Sequence, residues 1–176
     1  AGDQAATDRV FAEADTIVWG GSADPAGLRE LIEPHDAAIT WVQLPWAGVE
    51  PYLDVLDDRR IWTCAKGAYA DDVAEMALAL LLAGKRGLGA YARARTWRGP
   101  GTIGSNLHGA QVCIVGGGGI TEELIRLLQP FGTEVVVVRR NVAPVPGATQ
   151  VVGDDQLDEA IAGVDAVVLA LALTPE

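Results

Sequence analysis

The stretch from Gln111 to Arg140, QVCIVGGGGITEELIRLLQPFGTEVVVVRR, constrains the fold more than any other part of the chain. Gln111–Val115 is an apolar run of the length of a buried strand. The glycines Gly116–Gly119 follow it without a gap. Leu124, Leu127, Leu128 and Phe131 then recur at the spacing of one helix face. Gly132 closes that helix, and Glu134–Val138 is a second strand rich in β-branched residues. Strand, glycine turn, helix and strand within about 30 residues make a βαβ unit, and with it a parallel sheet.

The turn carries chemistry for a physical reason. Gly116 permits the tight bend, and Gly118 lets the backbone approach a phosphate closely. The helix beyond aims free N–H groups and the positive end of its dipole at a pyrophosphate. The strand before and the helix after supply the context such a turn needs to be informative. The pattern leaves three occupants open: a dinucleotide, S-adenosylmethionine, or no ligand at all. The dinucleotide suits the βαβ context best. The third glycine position of the fingerprint holds Thr121. Since that glycine serves helix–strand packing, Thr121 is expected to loosen the fit without abolishing binding.

The end of the second strand bears on which dinucleotide. An acidic residue there would hold the ribose 2′-hydroxyl of NAD, but no carboxylate occurs between Glu134 and Asp154. Arg139 and Arg140 stand there instead, and a guanidinium fork matches the oxygens of a 2′-phosphate. NADP is therefore expected over NAD, the alternative being two solvated arginines without a ligand. Alternate strand residues point to opposite sides, so at most one of the pair faces the ribose directly. Arg139 is the expected one.

The remaining sequence fits an α/β chain. Thr16–Gly20, Ala38–Leu44 and Ile61–Ala65 read as strands. Between them lie a helix capped by Ser22 or Asp24, broken at Pro34, and a short helix over Val49–Leu56. Val10–Ala14 is also expected to be helical. Residues 1–72 hold 14 Asp/Glu against 5 Lys/Arg, so this part is markedly acidic. Asp71-Asp72 opens a helix whose Val73–Ala83 run, charged only at Glu75, is expected to be buried on nearly all sides. Lys85–Arg98 then carries five of the thirteen basic residues, mixed with Tyr91 and Trp97. The glycine-rich stretch 99–108 reads as a linker and the place of a domain boundary. Ala148–Val152 and Asp165–Leu173 read as further strands, with a short helix over Leu157–Ile161. The formal net charge of −11 argues against non-specific nucleic-acid binding. Cys64 and Cys113 sit in apolar runs and are expected to be buried and inert, with no disulfide framework or metal-ligand spacing. His35 and His108 are expected on the surface. The Val73–Ala83 run is too short for a bilayer, which takes about 20 residues, and there is no signal-peptide pattern, so a cytoplasmic protein is expected.

Three stretches in order, QLPWAGVE, YADDVAEMALALLL, and the glycine turn with VVLALALTPE, resemble the NAD(P)-dependent D-isomer-specific 2-hydroxyacid dehydrogenases over roughly residues 16–176. The resemblance implies a Rossmann dinucleotide-binding domain plus a flavodoxin-like substrate domain, both incomplete in this chain. It divides the chain into a substrate-domain part (1–72), an interdomain helix, dimerisation arm and linker (73–108), and the start of the NAD(P)-binding domain (109–176). It further implies hydride transfer between NAD(P)H and a 2-keto or 2-hydroxy acid, and a homodimer formed through 85–98. By the same resemblance Ala47 and Gly48 hold the substrate carboxylate and Trp46 lines its pocket. Val73, Ala170, Leu171 and Ala172 lie by the nicotinamide, and the backbone of Gly118, Gly119 and Ile120 holds the pyrophosphate. Many members carry arginine where Gly119 stands, and proline where Ala172 stands. The family's catalytic arginine, glutamate and histidine fall beyond Glu176, so the polypeptide 1–176 is expected to be inactive on its own. The competing reading is a non-catalytic NAD(P)(H)-sensing module that binds a protein partner.

Overall fold

The structure, a computed structural model, describes residues 4–20, 24–97 and 103–171. The chain divides into two compact units that part between Ala68 and Tyr69. The stretch 103–108, expected to be linker, belongs to the second unit, where Leu107 is buried in the core.

In the first unit, β1 (Thr16–Val18), β2 (Trp41–Gln43) and β3 (Ile61–Thr63) form a parallel sheet in that order. Thr16 stands opposite Trp41, and Trp41 opposite Ile61. These strands are shorter than the sequence suggests. The Ala38 N–H bonds the His35 carbonyl in a turn, and cross-strand bonds begin at Thr40, whose N–H bonds the Asp15 carbonyl and whose carbonyl accepts the Ile61 N–H. Helix α1 covers Gln4–Phe11, earlier than Val10–Ala14. Helix α2 (Pro25–Ile32) starts at Asp24, whose carboxylate accepts the Gly27 N–H at 2.9 Å. Ser22, the other candidate cap, lies outside the described residues. Pro34 does not stop the chain at once, because Glu33–His35 continues as a 3₁₀ turn. The helix expected over Val49–Leu56 is only a 3₁₀ turn at Glu50–Tyr52, with the Tyr52 N–H on the Val49 carbonyl at 2.8 Å. Leu28 and Ile32 of α2 bury against Ile17, Val42 and Tyr52. His35 is half-buried rather than on the surface, because its ring stacks on Phe11 at 4.9 Å.

The second unit holds α3 (Ala70–Lys85), α4 (Leu88–Ala92), β4 (Gln111–Val115), α5 (Gly119–Leu128), β5 (Glu134–Val138), β6 (Gln150–Val152), α6 (Leu157–Ile161) and β7 (Ala166–Leu169). Its sheet is parallel throughout, in the order β6-β5-β4-β7, which puts β4 inside. Parallel strands covered on both faces are apolar throughout, and Val112, Cys113 and Ile114 are fully buried. One face of the sheet meets Leu124, Ile125 and Leu128 of α5, with Ala74 of α3 in the same cluster. The other face packs on Leu157 and Ala160 of α6. Burial of α3 on nearly all sides does not hold. Ala74 alone is fully buried, while Val73, Met76 and Leu80 are exposed, because α5 covers one side of α3 only. Among the described residues no helix is long and apolar enough to cross a membrane.

Candidate functional site

The carboxyl ends of β4, β5 and β7 meet at the glycine turn. The Gly116 N–H donates to the Val138 carbonyl and the Ala170 N–H to the Val115 carbonyl, each at 2.8 Å. Gly116 has φ +116°, and a Cβ there would run into the Ala170 carbonyl oxygen. Glycine is thus required at this bend on two counts. Thr121, expected to loosen the turn, tightens it. Its side chain is fully buried, and its hydroxyl donates to the Gly116 carbonyl at 2.8 Å.

Helix α5 runs on from Gly118. Its first helical bonds are from the Thr121 and Glu122 N–H groups to the Gly118 carbonyl, at 3.0 and 3.1 Å. The N–H groups of Gly118, Gly119 and Ile120 precede these bonds and belong to the open end of the helix. Gly118 and Gly119 have open space beside their Cα atoms. A Cβ on Gly118 would meet nothing within 4 Å, and one on Gly119 only the Ala70 methyl at 3.6 Å. Gly117 differs. A Cβ there would stand 2.8 Å from Cδ, 2.9 Å from Nε and 3.2 Å from Cζ of Arg139. The Arg139 side chain therefore lies across Gly117, at the rim of the turn, and the missing side chain at 117 makes room for it. Arg140, the next residue, is exposed.

The other expected residues divide between the two units. Val73, in the first turn of α3, lines an apolar groove with Met76 and Leu80 and with Val167 and Leu169 of β7. Ala170 and Leu171 directly follow β7, and Leu171 is exposed. Ala172 lies outside the described residues. Trp46, Ala47 and Gly48 belong to the first unit, in the exposed loop after β2, and the Trp46 carbonyl accepts the Ala65 N–H at 3.1 Å. One neighbour escaped the sequence reading. The Glu50 carboxylate folds back over Gly48, with Oε2 2.5 Å from where a Cβ would be. A side-chain direction of this kind leaves no signal in spacing. Cys113 is buried, and burial pushes its thiol pKa up, away from reactivity. Cys64 is only partly buried.

A parallel sheet whose inner strand feeds a glycine turn and an open helix end is a Rossmann-type NAD-binding domain. The chain belongs to the D-isomer specific 2-hydroxyacid dehydrogenase family, whose NAD binding domain matches residues 76–176. It is 33% identical, over 168 residues, to an uncharacterized protein in the proB 3′ region of Corynebacterium melassecola, covering 92% of this chain and 53% of that one. In structure it is similar to a D-isomer specific 2-hydroxyacid dehydrogenase family protein from Aeromonas salmonicida subsp. salmonicida A449, with a TM-score of 0.76 and 25% identity over 99% of this chain and 55% of that one. The fold is shared with a D-isomer specific 2-hydroxyacid dehydrogenase from Xanthobacter autotrophicus Py2 in complex with NADPH and MES, with a TM-score of 0.73 and 21% identity over 94% and 51% of the two chains. The chain spans about half the length of the relatives it matches.

Proposed function

We propose that the chain is part of a cytoplasmic, homodimeric oxidoreductase that transfers a hydride between NADPH and a 2-keto or 2-hydroxy acid. The backbone N–H groups of Gly118, Gly119 and Ile120 hold the pyrophosphate, and Arg139 takes the 2′-phosphate with Arg140 as a second cation. Val73, Ala170, Leu171 and Ala172 flank the nicotinamide, which when bound supplies the hydride chemistry. Trp46, Ala47 and Gly48 receive the substrate, with loop N–H groups facing its carboxylate. The arginine, glutamate and histidine that bind substrate and move its proton in this family are assigned to the rest of the full-length protein. The arm 85–98 meets the second copy. In support, Leu88, Tyr91 and Trp97 are exposed there, Trp97 almost completely, and its basic residues complement an otherwise acidic chain. Arg98 lies outside the described residues.

The observation that carries the cofactor choice is the course of Arg139 across Gly117. It puts a cation beside the phosphate-binding turn where NAD-specific members of such folds use a carboxylate. A charged hydrogen bond contributes about 1.5–3 kcal/mol, or roughly ten- to hundredfold in affinity. The test compares kcat/KM for NADPH and NADH with glyoxylate, hydroxypyruvate and pyruvate, in the full-length protein and in Arg139→Asp. Wild type is expected to prefer NADPH and the variant to lose or reverse that preference. A wild type that prefers NADH, or a variant that keeps its NADPH preference, refutes the assignment.

A further inference from the structure

Thr121 stands where the dinucleotide fingerprint has its third glycine, and that glycine is there to let helix and strand approach. Here the approach happens with a threonine in place: Thr121 is fully buried and its hydroxyl reaches the Gly116 carbonyl at 2.8 Å. The bond does more than fill space. A trans peptide is planar, so the Gly116 carbonyl and the Gly117 N–H lie in one plane and point in opposite directions. Fixing the carbonyl inward fixes that N–H outward. The other end of Gly116 is already held, because its own N–H donates to the Val138 carbonyl at 2.8 Å. Both peptide planes at the bend are therefore set. The chain reaches Gly118 and the open helix end from a fixed direction.

We propose that Thr121 is a positioning residue for dinucleotide binding: its hydroxyl holds the Gly116–Gly117 peptide so that the turn is preformed for the pyrophosphate. This rests on the cofactor reading given above, and deepens it by naming a fully buried residue behind the turn. Without the hydroxyl, the Gly116 carbonyl loses a partner in a dry site and the peptide is free to rotate. Binding must then reorder the turn, a cost that falls on the pyrophosphate and not on the adenosine end. Arg139, which lies over Gly117 from outside, keeps its own strand-end anchor, the Arg139 N–H to the Val152 carbonyl at 3.0 Å.

The experiment measures dissociation constants of the full-length protein for NADPH, for NADH and for adenosine 2′-phosphate, which lacks the pyrophosphate. The proteins are wild type, Thr121→Val, Thr121→Ser and Thr121→Ala. Valine keeps the shape and removes the hydroxyl, and alanine is the second hydroxyl-free variant should valine fail to fold. Loss of one neutral hydrogen bond is expected to weaken NADPH about three- to tenfold in Thr121→Val or Thr121→Ala. Adenosine 2′-phosphate should stay within about twofold, and Thr121→Ser should recover most of the NADPH affinity. NADPH binding at the wild-type level without the hydroxyl overturns the inference and leaves the cofactor reading intact. Equal weakening of NADPH and adenosine 2′-phosphate also overturns it, since that marks a general loss of fold. A wild type that binds neither NADPH nor NADH overturns the cofactor reading and the inference with it.

Discussion

At the scale of single residues, what distinguishes this chain is where a few side chains turn. Arg139 crosses Gly117, Thr121 closes on Gly116, and Glu50 folds over Gly48. Under the proposed function the first two serve an anion, whereas the third opposes one. If that loop holds the substrate carboxylate, as proposed, a carboxylate beside Gly48 repels it and must swing away before the loop is filled. Removing its charge is expected to help: Glu50→Gln should lower KM for a 2-keto acid by roughly fivefold, the equivalent of about 1 kcal/mol of relieved repulsion across a few ångströms of partly hydrated space. Steady-state kinetics at fixed cofactor concentration measure this. An unchanged or higher KM shows that the substrate anion lies elsewhere.

At the scale of elements, α3 is tied to the second sheet at both ends. Its first turn faces α5, with the Ala70 methyl 3.6 Å from where a Cβ of Gly119 would stand, and its last turn reaches the sheet through Lys85. The Lys85 ammonium pairs with Asp165 just before β7 at 2.6 Å, and the other Asp165 oxygen accepts the Gln111 N–H at 2.9 Å. The Lys85 hydrogen bond, then the Gln111 N–H, hold the Asp165 carboxyl below its ordinary pKa. A depressed folded-state pKa contributes stability that is present above the unfolded value and is lost as pH falls through the folded one. The linkage between α3, β4 and β7 should therefore weaken below about pH 4. Thermal melts from pH 7 to pH 3 should show Asp165→Asn less stable than wild type at neutral pH and converging with it in acid. Parallel curves at all pH values would remove this role. The β4–α5–β5 unit was legible in the sequence nearly to the residue. Alternating strand and helix periods, punctuated by glycine, encode it locally. The short strands of the first unit and the open side of α3 were not, since the first depends on the turn bonds that the His35 carbonyl accepts before β2 and the second on which neighbours cover an apolar helix. From its position alone Thr121 is a disturbance of the turn. Its hydroxyl's partner five residues away became visible only in three dimensions.

At the scale of the whole molecule, each unit leaves apolar surface uncovered among the described residues. In the first, Val18, Trp41 and Ile61 are exposed on one sheet face, although parallel sheets are ordinarily covered on both. In the second, Met76, Leu80, Val167 and Leu169 line an open groove. Exposed patches of this kind drive association. The polypeptide 1–176 on its own is expected to bind the dye ANS and to self-associate in sedimentation velocity, more so than the full-length protein. Dye-silent, monomeric 1–176 would contradict that. Under the proposed function the turn after β4 holds a dinucleotide whose 2′-phosphate meets Arg139. Hydrogen–deuterium exchange of the full-length protein with saturating NADPH, with saturating NADH and with neither tests it most directly. Protection of amides 116–122 by both cofactors is expected, with added protection around 138–141 for NADPH alone. Protection of other segments with 116–122 unchanged, or identical patterns for the two cofactors, would contradict it.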